Sequence, residues 1–325
     1  MISHLGRYEI IEELGRGAMG LVYKAKDPLI ERLVAIKAIN LQGLDESEKG
    51  EYEARFYQEA KAAGRLNHPN IVTIHDLGET GDVAYIAMEL MEGCELQNFI
   101  ADKSGLSLDE MLDIAIQVAT GLAYAHQNGI VHRDIKPSNI MVLSNNHVKI
   151  ADFGIAQMTS SLMATKTGII MGSPLYMSPE QVLSHSIDAR SDIFSLGIVL
   201  HWMLTGQLPF AGENANSVMY QIVNEPSPKP SSLNSEIPEK LDAIVSKCLE
   251  KKPEDRYQNA DELAGDLLSC RNTQPGHNHR RRYFLSDAMG NARKIDKQRL
   301  ISIIALIALV AVVLFELAEK SFFSK

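Results

Sequence analysis

The strongest constraint on the fold is a polar segment, HRDIKPSN at residues 132–139, that stands between two apolar stretches. Ile130-Val131 precedes it, and Ile140-Met141-Val142 follows it. Pro137 cannot continue a helix, so the segment is predicted to be a loop between short strands. Charged and amide side chains beside buried strands cost free energy unless they are paired or used. The segment is therefore a candidate functional site.

A second acidic motif follows at a short distance. Asp152-Phe153-Gly154 comes thirteen residues after Asn139 and follows the strand-like residues 148–150. Asn139 and Asp152 carry oxygen ligands, which Mg²⁺ prefers when it binds beside phosphates. The two residues are therefore candidate ligands of a hard divalent cation.

Near the N-terminus, residues 15–22 read GRGAMGLV and have the spacing GxGxxGxV. Glycines let a backbone approach phosphates closely, because no Cβ stands in the way. A dinucleotide-binding turn would open into a helix, whereas the strand-like LVYKAKD follows here. The pattern therefore favours a β-hairpin that covers phosphates, and a plain hairpin remains the alternative.

The next apolar strand, Val34–Ile36, is followed by Lys37. A buried lysine without a partner is costly, so a carboxylate is expected nearby. Glu59, in the middle of a predicted helix from Glu48 to Asn67, is the candidate partner. A lysine that reaches solvent along its aliphatic stem is the plainer alternative.

The 325 residues are enough for two domains, or for one two-lobed domain with extra segments. The residues before position 90 are predicted to be strands with one helix. Residues 107–270 are predicted to be mostly helical, and Ser107 with Glu110 forms a capping box at the start of one helix. A strand-rich part followed by a helix-rich part, with a hinge near residues 89–95, indicates a small and a large lobe with a cleft between them.

The charge is distributed unevenly along the chain. Residues 1–270 carry a net charge of −15, residues 271–299 a net charge of +6, and residues 300–325 none. An acidic body argues against general nucleic-acid binding, which needs a basic face. The three cysteines show no Cys-x-x-Cys spacing, so neither a disulfide scaffold nor a zinc ribbon is expected.

The run Leu300–Phe315 contains sixteen residues without a charge, and its apolar character continues to Ala318. A membrane-spanning helix needs ~20 apolar residues, so residues 300–318 are predicted to be a short transmembrane helix rather than a buried core helix. Seven basic residues lie at 280–299, and basic residues beside a span stay in the cytoplasm. We therefore expect a single-pass protein of the cytoplasmic membrane, with its body in the cytoplasm and its basic stretch on anionic lipid.

In their order, these motifs resemble the eukaryotic-type Ser/Thr protein kinase family. The match runs from Gly15 to Arg256, and it includes SPE at 178–180 and Asp192. The phrases HPNIV, GSPLYMSPEQ and SDIFSLGIVL look like bacterial members of that family. The resemblance implies an α+β, bilobal protein-kinase-like fold with a small β-rich N-lobe and a larger helical C-lobe, followed by the transmembrane helix.

The predicted domains follow from this resemblance and from the composition. They are a kinase domain at 1–270 (N-lobe about 1–90, C-lobe about 91–270), a basic juxtamembrane linker at 271–299, the transmembrane helix at 300–318 and an extracytoplasmic tail at 319–325.

The resemblance also implies a role for each motif residue. Asp134 orients the substrate hydroxyl and accepts its proton, and Lys136 neutralises the transferring phosphoryl charge. Lys37, paired with Glu59, holds the α- and β-phosphates. Mg²⁺, or Mn²⁺ in its place, binds to Asn139 and Asp152. The residues expected around ATP are Leu14, Gly15, Arg16, Gly17, Ala18, Met19, Gly20, Leu21, Val22, Ala35, Lys37, Glu89, Met91 and Met141.

Residues beyond the nucleotide site have implied roles as well. Met88 corresponds to the gatekeeper, the residue at the back of the adenine pocket. A pair of Glu180 with Arg256, and a bond of Asp192 to the backbone of the HRD motif, are expected to be structural.

The segment between the DFG and SPE motifs contains Thr165 and Thr167, which resemble the paired phosphothreonines of bacterial relatives. Arg133 stands beside Asp134, and a guanidinium at that position can pair with a phosphate. The two threonines are therefore the predicted phosphorylation sites of an activation loop.

We expect an ATP-dependent Ser/Thr protein kinase that is tethered to a membrane and activated by phosphorylation of this loop. Lys136, two residues after the catalytic aspartate, is typical of kinases that act on Ser and Thr. The expected partners are protein substrates with Ser or Thr, membrane lipid and a second copy for trans-autophosphorylation, and no nucleic acid. A pseudokinase scaffold and a small-molecule phosphotransferase of the same fold remain alternatives.

Overall fold

The computed structural model describes residues 2–17, 20–42, 46–102, 106–153 and 174–272. Residues up to Arg271 form one compact unit. The sites predicted at Ala18, Met19, Thr165 and Thr167 and the membrane run at 300–318 lie outside the described residues. Among the helices that the structure describes, none has both the length and the apolar character needed to cross a membrane.

The first part of the compact unit is an antiparallel sheet of six strands in the spatial order β1-β2-β3-β4-β6-β5. The strands are β1 (His4–Leu5), β2 (Tyr8–Gly17), β3 (Gly20–Asp27), β4 (Arg32–Asn40), β5 (Ile74–Thr80) and β6 (Val83–Glu89). Strands β2 and β3 form the predicted hairpin, so the glycine-rich run leads into a strand and not into a helix. The dinucleotide-binding alternative is therefore excluded.

Helix α1 (Glu46–Ala63) connects β4 to β5. It begins two residues before the predicted Glu48 and ends four residues before the predicted Asn67. The early end has a local cause, because the N–H groups of Arg65 and Leu66 donate to carbonyls only three residues back. Such bonds close a tight turn and end the helix.

Strand β4 is buried on both of its faces, and side chains alternate between the faces along a strand. Val34, Ile36 and Ala38 pack in one apolar cluster of the sheet. Ile39 packs on the opposite face, in a cluster that also contains Phe56 of α1. Lys37 is two residues from Ile39, so the alternation places it on the face that α1 covers.

The second part of the compact unit is mainly helical. Its helices are α2 (Leu96–Asp102), α3 (Leu108–Gln127), α4 (Pro179–Val182), α5 (Ala189–Thr205), α6 (Ala215–Asn224), α7 (Pro230–Leu233), α8 (Glu239–Cys248) and α9 (Ala260–Asn272). A small antiparallel sheet of β7 (Gly93–Glu95), β8 (Ile140–Leu143) and β9 (Val148–Ile150) lies among them. The strand-rich and helix-rich lobes that the sequence predicted are confirmed.

Two helices show how the sequence sets local structure in this lobe. The capping box at α3 is present, since Ser107 accepts from the N–H of Glu110 and the Glu110 side chain accepts from the N–H of Ser107. Helix α5 begins at the N-cap Asp188 and ends at Gly206, whose φ is 71°. Its side chains from Ser191 to Leu204 are almost all buried, so α5 is the centre of the C-lobe core.

Candidate active site between the lobes

The polar segment after α3 forms a loop and a short 3₁₀ turn, Pro137–Asn139, which leads into β8. In this loop the Asp134 carboxylate accepts two hydrogen bonds on the same oxygen, Oδ2. Lys136 Nζ donates to it at 2.7 Å, and Asn139 Nδ2 donates to it at 3.0 Å. Asn139 Nδ2 also donates to the carbonyl of Asp134 at 2.8 Å. The three predicted site residues therefore lie in direct contact. Both bonds hold the Asp134 carboxylate through Oδ2, and neither of them uses Oδ1.

Asp192 of α5 holds the backbone of this loop, as predicted. Its two carboxylate oxygens accept the N–H groups of His132 and Arg133, each at 2.7 Å. Arg133 has a positive φ of 69°, a backbone conformation that is rare for residues other than glycine. The fully buried Asp192 keeps the loop in this conformation, which orients Asp134.

A third contact to Asp192 is one that the sequence did not predict. His126, in the last turn of α3, has its Nε2 2.8 Å from Oδ2 of Asp192. The two residues are 66 positions apart, and neither one stands in a motif that indicates the other. Helix α3 is thereby bonded to the same carboxylate that fixes the catalytic loop.

Lys37 of β4 reaches across the cleft to the DFG motif, and its Nζ lies 2.7 Å from Oδ2 of Asp152. Burial raises the pKa of Asp152, but the charge and hydrogen bond of Lys37 more than offset this, so the pKa lies below its ordinary value. Asp152 is therefore ionised at neutral pH. Glu59 lies in α1, and its pairing with Lys37 stays a prediction.

The DFG segment packs against the catalytic loop. The rings of Phe153 and His132 meet edge to face with their centroids 4.6 Å apart. The N–H of Ala151 donates to the carbonyl of Asn139 at 2.9 Å. Since Asn139 uses its amide nitrogen on Asp134, its amide oxygen remains as a cation ligand, and the ionised carboxylate of Asp152 supplies another. This donor set fits a hard divalent cation with phosphate oxygens.

The predicted adenine pocket has an apolar lining. Ala35 of β4 and Met88 of β6 are buried in one cluster, against which Val22 and Met91 pack. The N–H of Glu89 donates to the carbonyl of Thr73 at 3.0 Å, which leaves only the carbonyl of Glu89 for a nucleotide. The pocket can thus offer apolar faces to a flat base and a backbone acceptor at its edge.

The remaining predicted ATP residues that the structure describes lie in strands β2, β3 and β8. Leu14 in β2 is 48% exposed, and Met141 lies in β8. Gly15, Arg16, Gly17, Gly20 and Leu21 belong to the β2–β3 hairpin. Gly20 has a φ of 139°, and a Cβ there would collide with the carbonyl of Ala38, so only glycine fits at this position.

The SPE motif is fixed by a buried ion pair, as predicted. Arg256 Nη1 and Nη2 each lie 2.8 Å from an oxygen of Glu180, in the fork-to-fork arrangement. Both side chains are almost fully buried. Next to this pair, Gln181 Nε2 donates to the carbonyl of Arg133 at 2.7 Å. Gln181, which follows Glu180 in the chain, therefore links the ion pair to the catalytic loop.

The fold and these contacts define a protein-kinase domain, and comparison with known proteins agrees. The chain matches the family described as "Protein kinase domain" over residues 8–267. This is more than half of its length, so the chain belongs to the protein kinase family. The match ends before the apolar run that begins at Leu300.

The most similar curated proteins include bacterial kinases. The chain is 41% identical over 266 residues to a probable serine/threonine-protein kinase of Clostridium acetobutylicum, covering 82% of this chain and 40% of that protein. It is 41% identical over 265 residues to the serine/threonine-protein kinase PrkC of Bacillus subtilis, covering 82% and 40%. It is 40% identical over 302 residues to the serine/threonine-protein kinase PknB of Mycobacterium tuberculosis, covering 89% and 48%. The aligned part is thus less than half of each relative's length.

Proposed function

We propose that this chain is a serine/threonine protein kinase that transfers the γ-phosphate of ATP to hydroxyl groups of proteins. The observation that carries the proposal is the convergence at Asp134, where Lys136 Nζ and Asn139 Nδ2 lie 2.7 and 3.0 Å from one carboxylate oxygen. Phosphoryl transfer depends mainly on positioning and charge stabilisation. An oriented carboxylate beside a cation is suited to both tasks.

Each residue of the site has a part in this reaction. Asp134 accepts a hydrogen bond from the substrate hydroxyl and takes its proton as the hydroxyl oxygen bonds to the γ-phosphorus, while the bond from that phosphorus to the bridging oxygen breaks and ADP leaves. Lys136 neutralises charge on the phosphoryl group during its transfer, and Lys37 holds the α- and β-phosphates of the nucleotide. Asn139 and Asp152 would hold Mg²⁺, or Mn²⁺ in its place, and the bound ion would supply electrostatic stabilisation of the phosphate oxygens.

The same geometry weighs against the two alternatives. A pseudokinase scaffold has no need for Lys37, Asp134, Asn139 and Asp152 together, and all four are present in paired arrangements. A small-molecule phosphotransferase has no need for the ordered SPE motif, which a buried ion pair fixes beside the catalytic loop. Proteins that carry Ser or Thr are therefore the proposed substrates.

The proposal is tested by incubating the purified chain with γ-labelled ATP, Mg²⁺ and a generic basic protein. We expect label on the serine and threonine of the basic protein and on the chain itself. Label on a small hydroxyl compound but on no protein would favour the phosphotransferase, and binding of ATP without any transfer would favour the scaffold.

We further propose that phosphorylation of Thr165 or Thr167 activates the kinase, through a second copy of the chain that acts in trans. Arg133 supports this, because its Nε is buried without a hydrogen-bond partner among the described residues. A phosphate adds about −1.5 to −2 charge at neutral pH. Its pairing with Arg133 would order the segment beside Asp134.

Replacement of both threonines by alanine is expected to lower kcat/KM by about tenfold or more, because the ordering charge is lost. Mass spectrometry of the active wild-type chain should find phosphate on one or both threonines. The serines Ser160 and Ser161 in the same segment provide a matched double replacement that should keep most activity. Full activity of the threonine variant, with phosphate found only elsewhere, would contradict the proposal.

We also propose that residues 300–318 anchor the chain in the cytoplasmic membrane, with the kinase domain in the cytoplasm. The support is the sixteen-residue uncharged run and the seven basic residues just before it. The run spans ~24 Å as a helix, and local thinning of a ~30 Å hydrocarbon core closes the difference. Each basic residue near anionic lipid adds ~1 kcal/mol of binding.

The anchor predicts different membrane behaviour for two forms of the chain. The full chain is expected to sediment with membranes and to resist extraction by carbonate. A chain that ends at Gln298 is expected to be extracted, and to keep its activity because it retains the whole kinase match. Carbonate extraction of the full chain, or cleavage of the kinase domain by protease added outside intact cells, would overturn this topology.

A further inference from the structure

The end of strand β6 is joined to strand β9 by an ion pair that the proposed chemistry does not use. Glu89 is the last residue of β6, and Lys149 is the middle residue of β9. Lys149 Nζ lies 2.7 Å from Glu89 Oε1. The two side chains are 13% and 26% exposed, so the pair is largely shielded from solvent. The contact joins the large N-lobe sheet to the small C-lobe sheet.

The same two side chains also bind the segment that crosses between the sheets. Glu89 Oε1 accepts the N–H of Thr73 at 2.8 Å, and the N–H of Glu89 donates to the carbonyl of Thr73 at 3.0 Å. Lys149 Nζ donates to the carbonyl of Ile71 at 3.3 Å. The segment 71–73 is therefore held by the hinge end of β6 on one side and by β9 on the other.

Strands β6 and β9, which the ion pair joins, both lead into the proposed nucleotide site. The chain beyond Glu89 is the hinge, whose backbone is proposed to face adenine. Strand β9 ends at Ile150, two residues before Asp152, and the carbonyl of Ile150 accepts the N–H of Val72 at 3.0 Å. The ion pair is thus connected through the backbone to the adenine end and to the cation end of the cleft, without a direct contact to either ligand.

We propose that Lys149 is a positioning residue for ATP, which fixes the spacing between the hinge and Asp152 through its ion pair with Glu89. A cleft that is already held at the right width loses less entropy when the nucleotide binds, and preorganisation of this kind raises affinity. A partly buried pair that is also hydrogen-bonded to backbone groups keeps its geometry better than an exposed pair. The inference rests on the proposed placement of ATP in this cleft.

The experiment measures nucleotide affinity and kinetics in variants of the full chain. Lys149→Met is expected to raise the Kd of a fluorescent ADP analogue with Mg²⁺, and the KM for ATP, by about 5- to 10-fold. Because no reacting group is touched, kcat should stay within about twofold of wild type. Lys149→Arg keeps the positive charge and should restore most of the affinity.

Lys24→Met is the matched control. Lys24 Nζ lies 3.2 Å from Glu12 Oε1, with the side chains 30% and 54% exposed, and this pair joins two strands within one sheet. Lys24→Met should leave the Kd of the ADP analogue unchanged. In a chain that already carries Glu89→Leu, the further change Lys149→Met should add less than it does in the wild type, since the carboxylate that pairs with Lys149 is already absent.

The outcomes separate this inference from the site on which it rests. A wild-type chain that binds the ADP analogue, with a Lys149→Met variant that binds it equally well, would overturn only the role of Lys149. That role would also be overturned if kcat falls while Kd stays constant, or if the two changes at Glu89 and Lys149 add independently. A wild-type chain that binds no nucleotide would overturn the ATP site and the positioning role together.

Discussion

Asp134→Asn is expected to lower kcat for phosphoryl transfer by about 10²- to 10⁴-fold, the range that a positioned acid or base supplies. The amide keeps an oxygen that can accept from Lys136 and Asn139, so the loop geometry survives the change. It cannot take the proton of the substrate hydroxyl. The Kd of the nucleotide should be unchanged, because Asp134 is assigned to the hydroxyl and not to ATP.

The measurement is transfer of labelled phosphate to a generic basic protein, with binding of a fluorescent ADP analogue measured in parallel. Asp82→Asn is a suitable control, since its side chain is 51% exposed and pairs with Lys49 on the surface of the N-lobe. It should keep full activity. Undiminished transfer by Asp134→Asn would remove Asp134 from the catalytic role. Loss of nucleotide binding together with activity would indicate damage to the fold instead.

The catalytic loop could be predicted from the sequence because its residues have few other uses. Asp134, Lys136 and Asn139 stand within six positions of one another, between two apolar stretches and next to Pro137. Local chain geometry brings them together, and the structure shows the three side chains in direct contact. Short-range motifs of this kind carry both the residues and their spacing.

Contacts between distant elements could not be predicted in the same way. Lys149 and Glu89 are 60 positions apart, and His126 and Asp192 are 66 apart. Each is a common residue at the end of a helix or in a strand. Its partner is selected only when tertiary packing brings the two elements together. The sequence predicts which residues do chemistry, and tertiary packing decides which residues position them.

Lys37 lies between these two cases. Its place at the end of an apolar strand predicts a carboxylate partner, for which the sequence indicates Glu59, whereas Asp152 is predicted to bind the cation. Side-chain alternation along β4 predicts only that Lys37 is on the face covered by α1. The observed pair with Asp152, at 2.7 Å, depends on how the DFG segment meets that face.

Arg256→Met is expected to lower the free energy of unfolding by about 3–5 kcal/mol, the cost of leaving one member of a buried ion pair without its partner. Glu180 would lose both bonds of the bidentate pair, each 2.8 Å long, and its charge would stay in the core. Arg190→Met is the matched control. Its pair with Asp188 is 28% and 51% exposed, so the loss should be below ~1 kcal/mol.

The comparison uses the midpoint of urea unfolding, with the slope as a check that the transition itself is unchanged. If the single variant does not fold, the double variant Arg256→Met with Glu180→Gln is informative, because it removes the uncompensated charge and should recover part of the stability. A single variant as stable as Arg190→Met would show that the pair at the SPE motif contributes no more than a surface contact.

The dependence on pH gives an independent test of the same pair. Burial opposes ionisation of Glu180, but hydrogen bonds from Arg256 and Ser191 outweigh it, and the pKa lies below the ordinary 4.5. In the wild type, the stability from this carboxylate is therefore fully present above pH 4.5 and is lost as the pH falls through the lowered pKa. In Arg256→Met, burial is no longer opposed by that guanidinium, and the pKa of Glu180 should rise. The stability difference between the two chains should thus be largest near neutral pH and shrink in acid. A difference that stays constant as the pH falls would place the cause in lost packing rather than in the charge of Glu180.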